Sequence, residues 1–271
     1  MYEVYALELG ENPTRTTAQN FFIQDVSLAP PVRMPQQFYC WLAIGCGRII
    51  LIDCGLPERI DRPGIVVTHD LRDSLQALGI GLEDVTDLVI THLHWDHIGQ
   101  VSSFPQARLH VQSAEIAYCC SSSMKHREIG RYYDMRLVDE VLRRIAGNNE
   151  ILLDGDSGHI PGMTCRLADG HTPGIQVIGV RTIAGEIQLA SDTVPYFANI
   201  ERRNPFPIFE NLTPVFDTYE MLLRHAQGDP SRIIPGHDPA ILAMFPTHRQ
   251  VSSVRSLHLG PVQTAATQVV A

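Results

Sequence analysis

The stretch Thr91-His92-Leu93-His94-Trp95-Asp96-His97 decides how this chain is read. Ahead of it runs Asp87-Leu88-Val89-Ile90-Thr91, apolar and β-branched, which predicts a buried strand. The His-x-His-x-Asp-His run therefore falls in the turn where that strand ends, with Gly99 close behind. Three imidazoles and a carboxylate between positions 92 and 97 carry more ligand capacity than a fold requires. Imidazole nitrogen and carboxylate oxygen suit zinc and similar divalent ions, and a catalytic site needs such ligands on rigid elements with one coordination position open. Side chains alternate along a strand, so His92 and His94 project to one side while the turn swings Asp96 and His97 towards a second position. One short motif can serve two metals.

With 271 residues the chain is long enough for one large α/β domain or two smaller ones. Its 44% apolar and 19% charged composition is that of a soluble globular protein, not a disordered one. A net charge of −9 and a pI near 5.7 argue against nucleic acid or an anionic membrane as partner, since both select for basic surfaces. They leave room for a small-molecule anion met by one local arginine. The start, Met1 to Gly10, has no basic segment followed by an apolar one, which predicts no secretory signal. No apolar run approaches the ~20 residues of a membrane span. Cys40, Cys46, Cys54, Cys119, Cys120 and Cys165 form no CxxC pair, so reduced thiols and a cytoplasmic location are expected, with Cys54 a buried inert thiol.

Outward from the motif, Phe38 to Ile44 and Arg48 to Asp53 predict a β-hairpin around Gly45-Cys46-Gly47, its second strand ending in Asp53-Cys54-Gly55. A carboxylate at such a strand end either caps a turn or, with histidine ligands downstream, orients one of their rings. Asp70 to Leu78 reads as a helix with Leu71, Leu75 and Leu78 on one face; His69 only precedes it. A strand follows at Ala107 to Val111, with His110 structural. Between 113 and 147, Ser113 is a predicted N-cap, and Ile129, Tyr132, Tyr133, Leu137, Val141 and Ile145 fall at helical spacing over Glu128 to Ile145. This segment is read as a helical insertion, chiefly a packing stripe, with a lid or a homodimer contact as its further possible role. Met163 to Ala168 then leads into Asp169-Gly170-His171, a hairpin of Ile175 to Arg181 and Glu186 to Ala190 delivers Ser191-Asp192-Thr193, and Arg232 to Pro235 ends in Gly236-His237-Asp238. His or Asp beside Gly or Thr at several separate strand ends is not a chance distribution of twelve histidines.

These motifs, in this order, resemble the metallo-β-lactamase superfamily from about residue 38 to about 245. The resemblance implies a single α/β domain over 1–271, an αββα sandwich of two mixed sheets flanked by helices. It also implies a ligand set: His92, His94 and His171 on one metal, Asp96, His97 and His237 on the other, Asp192 bridging, and Asp53 behind the ligands. Two Zn2+ are expected, with Mn, Fe or Co able to substitute. Such a pair lowers the pKa of a bound water to about 7, giving a bridging hydroxide for attack on an ester, thioester, amide or phosphoester. Asp96 is the expected proton shuttle.

Asp192 to Pro207, with Ile234-Pro235-Gly236-His237, looks like the N-acyl homoserine lactonase branch, which implies a lactonase and a role in quorum quenching. In that branch a tyrosine shortly after the bridging aspartate meets the substrate carbonyl. Tyr196 stands one residue beyond the expected place and is the candidate oxyanion donor, a buried packing tyrosine being the alternative. Trp95 and Phe22 are expected to line the pocket, with Phe21, Met34 and Phe38, and Arg202 or Arg203 to meet a carboxylate. Competing readings are a thioesterase or a cyclic-amide or β-lactam hydrolase on the same metals, and, from another class, a metal-stabilised binding module. The last fits poorly, because structural zinc sites are usually closed four-ligand sets rich in cysteine.

Overall fold

Strict alternation along the central strands decides the architecture. In Arg48–Ile52, Ile50 and Ile52 are buried on one face and Leu51 on the other; in Gln36–Gly45, Trp41 and Ala43 oppose Cys40 and Leu42. A strand buried on both faces must lie inside a layered protein. The computed structural model describes residues 1–24, 30–147 and 150–262. Its strands are β1 (Tyr2–Asn12), β2 (Gln36–Gly45), β3 (Arg48–Ile52), β4 (Val66–Val67), β5 (Asp87–Val89), β6 (Arg108–Gln112), β7 (Glu150–Leu153), β8 (Met163–Leu167), β9 (Gln176–Thr182), β10 (Gly185–Ser191), β11 (Ile233–Pro235) and β12 (Val254–Ser256). The α-helices are α1 (Thr17–Asn20), α2 (Leu71–Ala77), α3 (Ser113–Cys119), α4 (Arg127–Gly130), α5 (Met135–Ala146), α6 (Phe197–Glu201), α7 (Leu212–His225) and α8 (Ala240–Met244).

Two mixed sheets result. The larger runs β12-β1-β2-β3-β5-β6-β7, with β4 on β1; its β3, β5, β6 and β7 are parallel. The smaller runs β11-β10-β9-β8, with β10 and β11 parallel. Ile50, Ile52, Val89 and Trp41 of the first sheet meet Ile178, Val180, Leu189 and Ile234 of the second in the interior between them. Leu71 and Leu75 of α2 and Val138 and Val141 of α5 cover the outer face of the large sheet. Val215, Tyr219 and Leu222 of α7 cover that of the small one. The order helix, sheet, sheet, helix is the predicted αββα sandwich.

The predicted hairpin holds. Cys46 and Gly47 form a two-residue turn with φ 53° and 73°, the left-handed pair that suits a twisted antiparallel ribbon. The predicted helix over Glu128 to Ile145 is instead broken: α4 stops at Gly130 and α5 starts after Asp134, whose side chain caps the backbone N–H of Arg136 at 3.0 Å. Gly130 and a strong capping carboxylate outweigh the continuous apolar spacing. Ser113 is the first helical residue and Gln112 occupies the cap position, without a side-chain bond. No helix among the described residues is long and apolar enough to cross a membrane.

Gly99 fixes how the loop after β5 returns to the loop after β3. Its N–H donates to the Gly55 carbonyl at 2.8 Å, and a Cβ there would meet backbone atoms of Leu56 and Pro57 at 2.2 Å. Gly99→Ala is therefore expected to destabilise the fold by about 1–3 kcal/mol, measured by denaturant unfolding. A loss under ~0.5 kcal/mol would show that these loops are free to part.

Candidate metal centre

Every candidate ligand leaves the C-terminal end of a strand, and all those ends converge. His92, His94, Asp96 and His97 follow β5, His171 follows β8, Asp192 follows β10 and His237 follows β11. All are buried. Their ligand atoms fall into two groups, His92, His94, His171 and Asp192, and Asp96, His97 and His237, each within 4.8 Å. Asp192 joins the groups: Oδ2 lies 3.6 Å from His171 Nε2, while Oδ1 lies 3.3 Å from His97 Nε2 and 3.0 Å from His237 Nε2. Asp96 Oδ2 stands 3.7 Å from both His97 Nε2 and His237 Nε2.

The inner atoms are short of partners. The Nε2 atoms of His92, His97 and His237 and Oδ1 of Asp192 are buried without a hydrogen bond among the described residues. The outer nitrogens are held. His97 Nδ1 pairs with Asp53 Oδ2 at 2.7 Å, His171 Nδ1 donates to the Ile208 carbonyl at 2.7 Å and His237 Nδ1 to the Gln37 carbonyl at 2.6 Å. These bonds place a hydrogen on Nδ1 and turn the Nε2 lone pair inward, as ligation requires. Asp53 adopts φ 58°, strained for a non-glycine residue, and there its carboxylate also accepts from Thr91 N at 2.7 Å and Thr91 Oγ1 at 2.8 Å. Inward lone pairs, orphaned buried acceptors and a shared carboxylate fit a dinuclear metal site.

Burial first, then neighbouring imidazoles, holds His92 and His94 well below the usual histidine range; burial also lowers His171. Burial opposes charge on His97 too, but Asp96, Asp192 and Asp53 hold its pKa well above the usual value. His237 is raised in the same way by Asp192 and Asp96. Burial would push Asp192 up, yet His237 and His97 keep it well below the carboxylate range.

A cavity of about 250 Å3 opens over this cluster, with His94, Asp96 and Asp192 in its floor and Trp95, Phe38 and Phe206 in its walls. A family model for the metallo-beta-lactamase superfamily matches residues 34–237. The chain belongs to the metallo-β-lactamase superfamily. An N-acyl homoserine lactonase from a Bacillus species is 25% identical over 201 residues, covering 68% of this chain and 75% of that protein. A probable metallo-hydrolase of Mycobacterium tuberculosis is 38% identical over 61 residues, 22% of this chain and 20% of its own. Among solved structures, a quorum-quenching N-acyl homoserine lactone lactonase superposes with TM-score 0.70 at 22% identity, covering 88% and 92% of the two chains. AidC, a dizinc quorum-quenching lactonase, gives TM-score 0.70 at 20% identity over 88% of each chain. This chain thus has the metallo-β-lactamase fold and, within it, two buried His/Asp groups that could hold metal ions.

The other expectations divide. Trp95 lines the cavity, whereas Phe22 is 45% exposed and packs edge-to-face on Phe209. Arg202 is exposed, with its guanidinium over Phe21, and Arg203 pairs with Glu220; neither lines the cavity. Tyr196 is fully buried beside Phe206 and does not line the cavity; burial raises its pKa. His110 is structural, bonded to Asp87 and His159, and Cys54 is buried. Sequence reasoning passed over Arg15, Arg62 and Tyr132, which line the cavity, and Glu115, buried beneath the metal loops. Tyr132 was visible only as one member of an apolar stripe; its ring and that of Tyr133 stand 5.4 and 4.7 Å from His94.

A proton on Nε2 of His97 or His237 competes with a cation for that nitrogen, and Asp96 and Asp192 favour the protonated ring in the metal-free chain. Zn2+ added at pH 7 to chelator-treated protein should therefore release protons, and affinity should climb as pH rises. Calorimetry in buffers of different ionisation enthalpy measures this, and a buffer-independent heat would refute it. Asp53→Ala should weaken metal binding about 10–100-fold in the same titration.

Proposed function

We propose that this chain is a dinuclear metal hydrolase that opens lactones, cyclic esters. The observation that carries the reading is the division of Asp192's two carboxylate oxygens between two groups of buried, inward-facing imidazole nitrogens. His92, His94 and His171 hold one divalent cation in this reading, Asp96, His97 and His237 the other, with Asp192 between them. Zinc suits the donor set best, with manganese, iron and cobalt as substitutes. Such a pair of cations supplies Lewis-acid polarisation of a carbonyl and a water acidified to near-neutral pKa.

The chain's own residues set the rest. Asp96 is both in the cavity floor and beside the second group of nitrogens, where a carboxylate can carry a proton towards the departing ring oxygen. Trp95 and Phe38, 5.9 Å apart between ring centres, exclude water from one wall. Tyr196 is retained as the donor to a substrate carbonyl on the branch resemblance alone, since it is buried behind Phe206, outside the cavity lining, with Asn20 beside its hydroxyl. The lactone class rests on the Bacillus relative, named an N-acyl homoserine lactonase, which aligns over 201 residues.

Metal-loaded protein given lactones, thioesters and cyclic amides, with proton release followed at constant pH, should turn over lactones with the highest kcat/KM. Thioesters or cyclic amides hydrolysed in preference to every lactone would replace the substrate assignment and leave the metal site standing. Tyr196→Phe should lower kcat by about 10²-fold with metal content intact. Unchanged kinetics would make Tyr196 a packing residue.

A further inference from the structure

An acidic protein has placed two arginines in its reactive cavity. Arg15 and Arg62 both line it, and neither comes within 4.0 Å of a carboxylate among the described residues. Each is held in place by other means. Arg62 stacks on Trp95, its guanidinium carbon 4.5 Å from the ring centre, and donates through Nη2 to the Arg131 carbonyl at 2.8 Å. Arg15 lies over Phe206 at 5.1 Å, donates through Nε to Asn20 Oδ1 at 2.8 Å and through Nη2 to the Gln19 carbonyl at 2.7 Å. Asn20 is itself buried and anchored to the Met34 carbonyl at 2.9 Å. Nη1 of both arginines, and Nε of Arg62, make no hydrogen bond among the described residues.

We propose that Arg15 and Arg62 form an anion-binding subsite, so that the substrate is a small lactone carrying a carboxylate. This inference rests on the lactonase reading of the neighbouring metal centre. Stacking and backbone bonds have already removed the rotamer freedom of both guanidiniums, so the remaining N–H donors meet an anion with little further ordering. Planar forks match the two oxygens of a carboxylate, and their stacking faces are already occupied by aromatic rings. A cavity of about 250 Å3 is large enough to seat a lactone ring with one short charged substituent beside the two arginines. A singly charged carboxylate also suits a chain of net charge −9 better than a dianionic phosphate does. Sequence composition allowed for one local arginine; the fold supplies two, from segments 47 positions apart that no sequence motif joins.

Two lactones of near-identical shape provide the test: 5-oxotetrahydrofuran-2-carboxylate and γ-valerolactone, which has a methyl group where the first has its carboxylate. With metal-loaded protein, kcat/KM should be about tenfold or more higher for the carboxylate, carried by KM and shrinking as salt is raised. The ring-opened 2-hydroxyglutarate should bind about tenfold tighter than 4-hydroxypentanoate by calorimetry. Both preferences should vanish in Arg15→Gln/Arg62→Gln and return in part in Arg15→Lys/Arg62→Lys, with metal content the same throughout. Equal kcat/KM for the two lactones, a preference for long neutral acyl lactones, or a carboxylate preference that survives the double glutamine substitution overturns the proposal. Arginine-dependent binding of 2-hydroxyglutarate without turnover of either lactone would uphold the anion subsite and overturn the lactonase reading instead.

Discussion

The constraint on which this fold depends is a cluster of buried imidazole nitrogens and carboxylate oxygens turned towards one another at the rim of two sheets. Nε2 of His92, His97 and His237 and Oδ1 of Asp192 are buried with no partner outside the cluster among the described residues. Burying these polar groups costs free energy that, in the bare polypeptide, the close pairings of His97 and His237 with Asp192 have to offset. A chain under selection for stability alone would fill this space with aliphatic side chains, as it does a few residues away at Ile52, Val89 and Leu189. The surrounding architecture makes sense as the means of holding an unfavourable arrangement steady. Two sheets abut so that the C-terminal ends of β3, β5, β10 and β11 meet at one rim, and rigid strands resist the collapse that would otherwise relieve the strain.

The imidazoles are kept facing inward partly by side chains, Asp53 on His97 and Thr91 Oγ1 on His92 at 3.1 Å, and partly by the backbone. His171 and His237 are oriented by backbone carbonyls, of Ile208 and Gln37. Gln37 lies on β2 of the large sheet and His237 follows β11 of the small one, so this single bond also ties the two layers together at the site. Only His97 uses a carboxylate, Asp53, and there the backbone departs from its preferred region, φ 58°, to bring that carboxylate round to both Thr91 and His97. Ser191, the residue before Asp192, is likewise left-handed at φ 48°, and its hydroxyl reaches Thr91 Oγ1 at 2.9 Å. The strained residues thus sit one on each sheet, and both converge on Thr91.

Much of this was legible in the sequence because it is written locally. The hairpin at Cys46-Gly47, the strand into Thr91, and the His or Asp at each strand end are short-range patterns, and the superfamily order assigned them to two groups before any coordinates. Three kinds of information were not local. A backbone carbonyl carries no residue signal, so Gln37 and Ile208 could not be singled out. Arg15 and Arg62 sit among loop residues whose place at the cavity is decided by tertiary packing, while Arg202, nearer in sequence to the ligands, turns away to lie over Phe21. The apolar spacing over Glu128 to Ile145 was real, but it spans a break at Arg131–Asp134 that periodicity cannot register.

That break shows why the segment between β6 and β7 belongs to the site as much as to the periphery. A continuous helix would tie up the Tyr132 carbonyl in its own ladder; with the helix interrupted, that carbonyl accepts from Trp95 N at 3.1 Å, inside the metal motif. From α3 of the same segment, Glu115 reaches under the motif, fully buried. Its Oε1 accepts from Leu93 N at 3.0 Å, and its Oε2 from Thr172 Oγ1 at 2.6 Å and Gly174 N at 3.1 Å. Leu93 lies between His92 and His94, and Thr172 follows His171, so one carboxylate fixes the spacing of all three imidazoles of the first group. Gly174 permits the approach, since a Cβ there would meet Glu115 N at 2.1 Å. With its oxygens engaged by three donors, Glu115 does not compete for a cation, although it is buried close to the ligands. It positions the loops that carry the candidate ligands, which is why a carboxylate can be kept in a place where burial pushes its pKa up against those same hydrogen bonds.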